Sequence, residues 1–415
     1  MGNKRFRYPK GNTYFPYTLL VKEDIDMKKV VSMLLVLAMA ASCLAGCGGS
    51  GDSAKSGEKK DAFYIGGIGP TTGDAAIYGN AVKNGAQIAV DEINAAGGIN
   101  GVQVEYNFQD DQADAEKAVN AYNTLKDWGM QLSMGCTTTD SCVAVAAKTA
   151  EDNMFLLTPS ASSVDVIAAD NAFQVCFTDP NQGYASARYI GENKLATKVG
   201  IIYDSSNVYS SGIKDKFVEE AANQPFEIVS DEAFTADSKT DFQTQIQKAK
   251  DAGAELMFLP IYYQEASIIL KQADTMGYDP VFFGCDGMDG ILTLENFDKS
   301  LAEGLMLLTP FSADAEDEAT KAFVSTYKEK YGDTPNQFAA DAYDVIYTMK
   351  AALEKAGATP DMDAAAICDA VKAAMTEVTV QGITGGEDGL TWAATGEVTK
   401  APKAVKIENG VYVGM

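Results

Sequence analysis

The sequence predicts an α/β protein built from two doubly wound, parallel-sheet lobes. Three observations predict it. Apolar runs of strand length recur between residues 63 and 311, segments of helical period separate them, and the body is longer than one core usually grows. Strand followed by helix, repeated this often, places parallel sheets between layers of helices.

The strands are read in order. FYIGGIG (63–69), VQVEYNF (102–108), MQLSMG (130–135) and MFLLTP (154–159) come first. KVGIIYD (198–204), ELMFLPIYY (255–263), VFFGCDG (281–287) and LMLLTPF (305–311) follow. In NAVKNGAQIAVDEINAAGG, Val82, Ala86, Val90 and Ile93 share one helical face, and Gly97-Gly98 stop the helix. DAEKAVNAYNTLKDWG, DFQTQIQKAKDAG, EASIILKQADTMG and FAADAYDVIYTMKAALEKAG repeat the pattern, each with a terminal Gly.

Composition removes several function classes. The chain has 415 residues, a formal net charge of −25 and no His. Without His there is no Ser-His-Asp or Cys-His nucleophile and no His-ligated metal. An acidic surface opposes nucleic acid and opposes docking on anionic lipid by charge. No GxxxxGK[ST] and no GxSxG occurs, and Thr72 stands where a Gly67-Ile68-Gly69 fingerprint would need its third glycine. These absences argue against an enzyme and against a bound cofactor. The paired acids Asp110-Asp111 and Glu219-Glu220 read as solvated faces.

Near the start, Met27-Lys28-Lys29 precedes an apolar stretch ending Leu44-Ala45-Gly46-Cys47. Positive charge, a short apolar run and small residues read as a secretory signal, and the ending resembles the bacterial lipobox. Cys47 is then the lipidated residue. Residues 1–46 become an upstream segment plus signal, with Met27 as the true start, and 47–61 a flexible Gly/Ser/Lys tether. An uncleaved anchor helix is the alternative. Five Cys remain in the body, an odd number without CxxC spacing. They read as free buried thiols, with one disulfide as the alternative and no metal site.

In open α/β sheets, ligands bind beyond the carboxyl ends of the strands. Two hydroxyl-rich exit loops qualify: Cys136-Thr137-Thr138-Thr139-Asp140-Ser141 and Ser160-Ala161-Ser162-Ser163. Such loops suit a carboxylate, through hydroxyls and closely approached backbone N–H groups. Plain helix capping by Asp140 is the alternative. Tyr78, Tyr209, Tyr262 and Tyr263 read as exit aromatics, each of which would otherwise pack on its own lobe. Asp286 is an exit carboxylate with no basic neighbour in sequence; its ordinary role would be an Asx-turn.

Between residues 62 and about 412 the body resembles the branched-chain amino acid (Leu/Ile/Val) binding proteins of ATP-driven importers. The resemblance is carried by IGPTTGDAAIYGNAVKNGAQIAVDEINAAGGING, LLTPSAS, FTDPNQG, IYDSSNVYSSG, LPIYYQEASIILKQADTMG, FFGCDG, GITGGEDGLTWAATGE and VKIENG, in that order. It implies the type I periplasmic binding (Venus-flytrap) fold, whose two lobes are joined by three crossovers and close on a free amino acid. The lobes would be 62–181 plus 310–402, and 182–309 plus 403–415. The resemblance places the carboxylate-binding hydroxyl on Thr139, beside Thr138, with further donors on Ser160, Ala161 and Ser162. It places the ammonium-binding acid on Asp286 and aromatic walls on Tyr78, Tyr209, Tyr262 and Phe338. Some relatives carry Trp at Tyr78 and Glu at Asp286, so ligand size is open; Glu265 competes as ammonium partner. The implied partners are an ABC permease and its ATPase, for a monomer held to the membrane by its lipid alone. A signalling sensor of the same fold, or a receptor for another small carboxylate or amide, is the alternative.

Overall fold

The computed structural model describes residues 60–400 and 402–415. The expected signal segment, the lipidated Cys47 and the tether up to residue 59 lie outside the described residues. Strands β1 (Ala62–Gly69), β2 (Gln103–Asp110), β3 (Leu132–Cys136), β4 (Phe155–Thr158) and β5 (Ala172–Gln174) form one parallel sheet, ordered β2-β1-β3-β4-β5. Strands β6 (Lys198–Asp204), β7 (Glu227–Phe234), β8 (Leu256–Leu259), β9 (Val281–Gly284), β10 (Met306–Thr309), β11 (Lys403–Glu408) and β12 (Val411–Gly414) form the other. Its order is β12-β11-β10-β9-β8-β6-β7, parallel except where β11 runs against β10 and β12. Each sheet is the centre of one lobe.

Both orders contain a switch point. The chain leaves β1 for β2 on one side, then returns to β3 on the other; β6, β7 and β8 repeat this. A crevice opens between the exit loops of such a pair. Here the pairs are β1/β3 and β6/β8, so the topology selects the loops after Gly69, Cys136, Asp204 and Leu259.

The helices are α1 (Ala76–Ala95), α2 (Ala115–Trp128), α3 (Thr139–Asp152), α4 (Asp179–Glu192) and α5 (Val208–Ala221), then α6 (Gln243–Ala252), α7 (Tyr263–Thr275), α8 (Glu318–Tyr331), α9 (Gln337–Ala356) and α10 (Ala364–Met375). Asp114 caps α2 by accepting from the Lys117 N–H, and Gly129 ends it at φ 101°, where a side chain would be strained. On α1 the face Val82, Ala86, Val90, Ile93 is buried. Among the described residues no helix is long and apolar enough to cross a membrane, and all five Cys are free and buried.

Several expected boundaries move. The run at 255–263 is a strand only to Leu259, and Tyr262 and Tyr263 begin a helix instead of ending a strand. Asp111 is buried, not solvated, and Asp110 closes the Gly69–Thr72 turn by accepting from Thr71 N (2.9 Å) and Thr72 Oγ1 (2.6 Å).

Helices α1 and α9 touch through Gly85. A Cβ there would lie 2.0 Å from the Ala339 carbonyl oxygen and 2.8 Å from its Cα. Ala is the better helix former by about 1 kcal/mol, so free space would make Gly85→Ala stabilising. Against backbone, nothing can yield except the helix spacing. We expect Gly85→Ala to destabilise by about 1–3 kcal/mol in urea unfolding; a gain in stability would show that the helices separate at no cost.

Candidate functional site

The first lobe contributes the hydroxyls. Gly69 ends β1, and a Cβ on it would fall 2.1 Å from Thr137 Oγ1. Its absence lets the β3 exit loop lie against β1, where Thr137 N donates to the Ile68 carbonyl at 3.1 Å. Thr138 then takes the extended N-cap conformation of α3, yet its hydroxyl makes no cap bond. That oxygen is buried and has no partner among the described residues. Thr139, the first residue of α3, accepts from Ser162 N at 3.2 Å. Thr158 Oγ1 accepts from Ser160 N (3.3 Å) and Ala161 N (3.0 Å). The expected backbone donors are therefore turned inward on Thr158 and Thr139, and Ala161 and Ser162 stand behind the cavity wall. Ser160, Thr137, Thr138 and Thr139 line it.

Asp140 does not cap α3. It reaches the other lobe instead, accepting from Asn207 Nδ2 at 3.0 Å and Val208 N at 3.3 Å. Burial raises its pKa, and these two donors oppose the rise.

From the second lobe come the acid and two of the rings. Asp286 opens a single 3-10 turn, Asp286–Met288. Gly287 N donates to Tyr209 Oη (2.9 Å) and Met288 N to the Cys285 carbonyl (2.9 Å). The Asp286 N–H donates to Gln182 Oε1 at 3.2 Å and its carbonyl accepts from Gln337 Nε2 at 3.1 Å, which fix the loop from two sides. Tyr209 Oη donates to the carboxylate at 2.7 Å. Burial nevertheless pushes the Asp286 carboxyl up to about 7, against the Tyr209 bond that lowers it. Among the described residues no Lys or Arg lines the cavity. Glu265, the competing acid, is not in the wall; it faces Lys239 Nζ at 3.6 Å.

Four rings enclose the space. Tyr78 stands on the first turn of α1, Tyr209 on that of α5, Tyr262 caps α7 and Phe338 is the second residue of α9. The Tyr78 ring lies 5.4 Å from Tyr262, in T-shaped contact, and 4.6 Å from Phe338. Tyr209 and Tyr262 are 5.1 Å apart. With Thr139 on α3, five helix N-termini converge here, an arrangement that favours negative charge.

The lobes are locked across this cavity. Tyr78 Oη donates to the Gly287 carbonyl and accepts from Tyr263 N at 3.1 Å. Tyr263 Oη donates to the Asp74 carbonyl at 2.6 Å, and Lys239 pairs with the Asp74 carboxylate at 2.7 Å. The enclosed volume is about 10 Å³, room for one water. An amino acid enters only if the lobes part or the tyrosine rings swing. Tyr78→Phe removes two inter-lobe bonds at once, and we expect it to shift the protein toward the open form, by about 1–2 kcal/mol. Small-angle scattering should report a larger radius of gyration; an unchanged radius would show that Tyr78 does not latch the lobes.

The family model for periplasmic binding proteins matches residues 62–410. The chain belongs to that family. This periplasmic binding protein is 29% identical over 355 residues to Leu/Ile/Val-binding protein homolog 3 of Brucella melitensis, spanning 85% of this chain and 93% of the relative. It is 28% identical over 310 residues to the leucine-, isoleucine-, valine-, threonine-, and alanine-binding protein of Pseudomonas aeruginosa, spanning 74% and 82%. Among solved structures, the substrate-binding protein LivJ of Streptococcus pneumoniae, in complex with isoleucine, superposes with a TM-score of 0.75 at 30% identity. That match covers 85% of this chain and all of LivJ. The fold expected from sequence, type I with two lobes, is the fold found.

Of the ten residues singled out from sequence, Tyr78, Thr138, Thr139, Ser160, Tyr209, Tyr262, Asp286 and Phe338 meet around one cavity; Ala161 and Ser162 do not reach it. Thr137 and Gly287 were missed. The Thr137-Thr138-Thr139 run signalled the first, but nothing in the sequence marks Gly287 except its place after Asp286.

Proposed function

We propose that the chain is an extracytoplasmic solute-binding lipoprotein. It captures a free, aliphatic, branched-chain amino acid between its lobes and presents it to an ABC permease, whose ATPase supplies the work. One observation carries this reading: a buried carboxylate without a cation, Asp286, shares a cavity with a buried hydroxyl without a partner, Thr138. A carboxylate that needs a cation and a hydroxyl free to donate, lining one small cavity, match the two charges of a zwitterion. The Leu/Ile/Val-binding names of the relatives and the isoleucine held by LivJ support the side-chain class.

Thr138, Thr139 and Ser160 receive the α-carboxylate on the first lobe, and Asp286 the α-ammonium on the second. Charge-assisted bonds contribute about 1.5–3 kcal/mol each. The rings of Tyr78, Tyr262 and Phe338 surround the aliphatic side chain. A ligand that touches both lobes favours the closed form, since only there are all contacts made. The chain performs no catalysis in this reading and acts as a monomer on its Cys47 lipid. We assign 62–181 plus 310–402 to one lobe and 182–309 plus 403–415 to the other, an assignment supported by β5 ending before residue 181 and β11 starting after 402.

A thermal-shift panel of the twenty amino acids on refolded, ligand-stripped protein tests the reading. A ligand at about 1,000 times its dissociation constant stabilises by about 4 kcal/mol. A shift confined to Leu, Ile, Val and close relatives supports it. No shift with any amino acid overturns it.

A further inference from the structure

A second pocket, about 370 Å³, opens between the lobes. Ser163, Val164 and Asp165 line it from the first lobe, and Ser205 to Val208, Ser211 and Gly212 from the second. At its base Asp179, the first residue of α4, is 2% exposed. Neither of its carboxylate oxygens has a hydrogen-bond partner among the described residues. Ser162 Oγ, beside it, is also buried without a partner at bonding geometry. The next residue, Pro180, offers no N–H. A Cβ at Gly212 would crowd the carboxylate at 3.2 Å, so α5 lies directly against it.

A buried acid whose nearest side-chain donor is the neutral Ser162 hydroxyl calls for a positive charge or a proton. We propose that this pocket binds a small monovalent cation, an alkali metal ion or an ammonium group, which Asp179 anchors and which bridges the two lobes. The pocket's lining carries no Lys or Arg and is rich in oxygen: Ser163, Ser205, Ser206 and Ser211 beside Asp179, with Asp165 at the exposed rim. One buried carboxylate matches one charge. Among the described residues no three acidic or Cys side chains converge to hold a metal ion, which disfavours a divalent ion. The volume far exceeds a bare ion, so an alkali ion would keep part of its water shell. Burial holds the Asp179 pKa well above the usual carboxylate range, and a bound cation would reverse that. Because both lobes line the pocket, the cation would favour closure, and by linkage it and the cleft ligand would raise each other's affinity.

The test uses the protein without amino acid, so it is independent of the transport reading. Melting is followed in sodium, potassium, ammonium and methylammonium chloride, with tetramethylammonium chloride at equal ionic strength as reference. We expect at least one small cation to give a saturable rise of roughly 2–5 °C over the reference. Which one does so separates the metal from the ammonium source. Asp179→Asn should abolish the rise. It should melt at or above the wild type in the reference salt, because it removes a buried unpaired acid. Equal melting in all five salts would overturn the proposal and leave Asp179 as a protonated acid turned on Ser162. A rise that survives in Asp179→Asn would overturn it too. If that variant fails to fold, the wild-type salt series decides alone.

Discussion

Asp286→Asn is expected to weaken branched-chain amino acid binding by about 2–4 kcal/mol, roughly 30- to 1,000-fold. The same change should stabilise the ligand-free protein. Both effects have one cause. The Asp286 carboxyl is 4% exposed, is bonded by Tyr209 and faces no cation in its cavity. The fold carries the cost of that burial, and an α-ammonium repays it on binding. Asn keeps an oxygen for the Tyr209 hydroxyl and nearly the same shape, so the substitution removes charge and little else. Calorimetry gives the affinity and a urea melt the stability. Loss of affinity without a gain in stability would mean that the loop, not the charge, was disturbed. Near-native affinity would sink the assignment. Glu265 would then be a poor replacement, since it is engaged by Lys239 outside the cavity.

The sequence was most legible where one element buries one face. The Val82–Ile93 face of α1 and the eight apolar runs needed no partner to be recognised. Of the edge strands only β2 was legible; the edges β5, β7 and β12, and the inner β11, were not. β7, EIVSDEAF, is half exposed along most of its length, β5 has three residues, and β11 with β12 forms an antiparallel hairpin closed by Asn409-Gly410. None shows the continuous apolar run of a central parallel strand. Of the candidate site residues the sequence shows the residue types but not their placement. Tyr78 and Tyr209 sit among Gly, Ser or Asn and look like loop residues, and Tyr262 looks like a strand end, whereas each marks a helix N-terminus, as Phe338 is read to do. Asp140 has the local look of a cap, and its real partners, Asn207 and Val208, lie 67 and 68 residues away. Asp179 in Thr-Asp-Pro reads as an ordinary helix start. Its missing partner becomes apparent only once α5 covers it. Ala161 shows the reverse failure: its loop was read correctly as hydroxyl-rich, but Thr158, inside the strand, takes its N–H. Non-local pairing is what a one-dimensional reading lacks.

Amino acid affinity should also depend on pH in a definite direction. The ligand-free Asp286 carboxyl titrates at about 7, above its ordinary 3.8. A bound ammonium favours the ionised form and pulls that value down. Below pH 7, then, binding must expel a proton, and above it the carboxylate is already charged. Affinity is expected to climb by up to about tenfold per pH unit between 5 and 7 and to level off above. Stability of the ligand-free protein runs the opposite way. A carboxyl raised on folding contributes fully below its unfolded value, and the contribution is lost as pH rises through about 7. The wild type should therefore match Asp286→Asn in stability near pH 4 and fall behind it by on the order of 4 kcal/mol at pH 8. Asp111 and Asp289 are also buried and raised to about 6, so they tilt the stability of both proteins alike, whereas Asp341, likewise raised to about 6, feels the Asp286 charge. Subtracting the variant's profile removes the share of Asp111 and Asp289. An affinity slope that persists in Asp286→Asn would assign the titration to another buried acid, Asp179 included, and Asp286 would lose its role as the acid that meets the ligand.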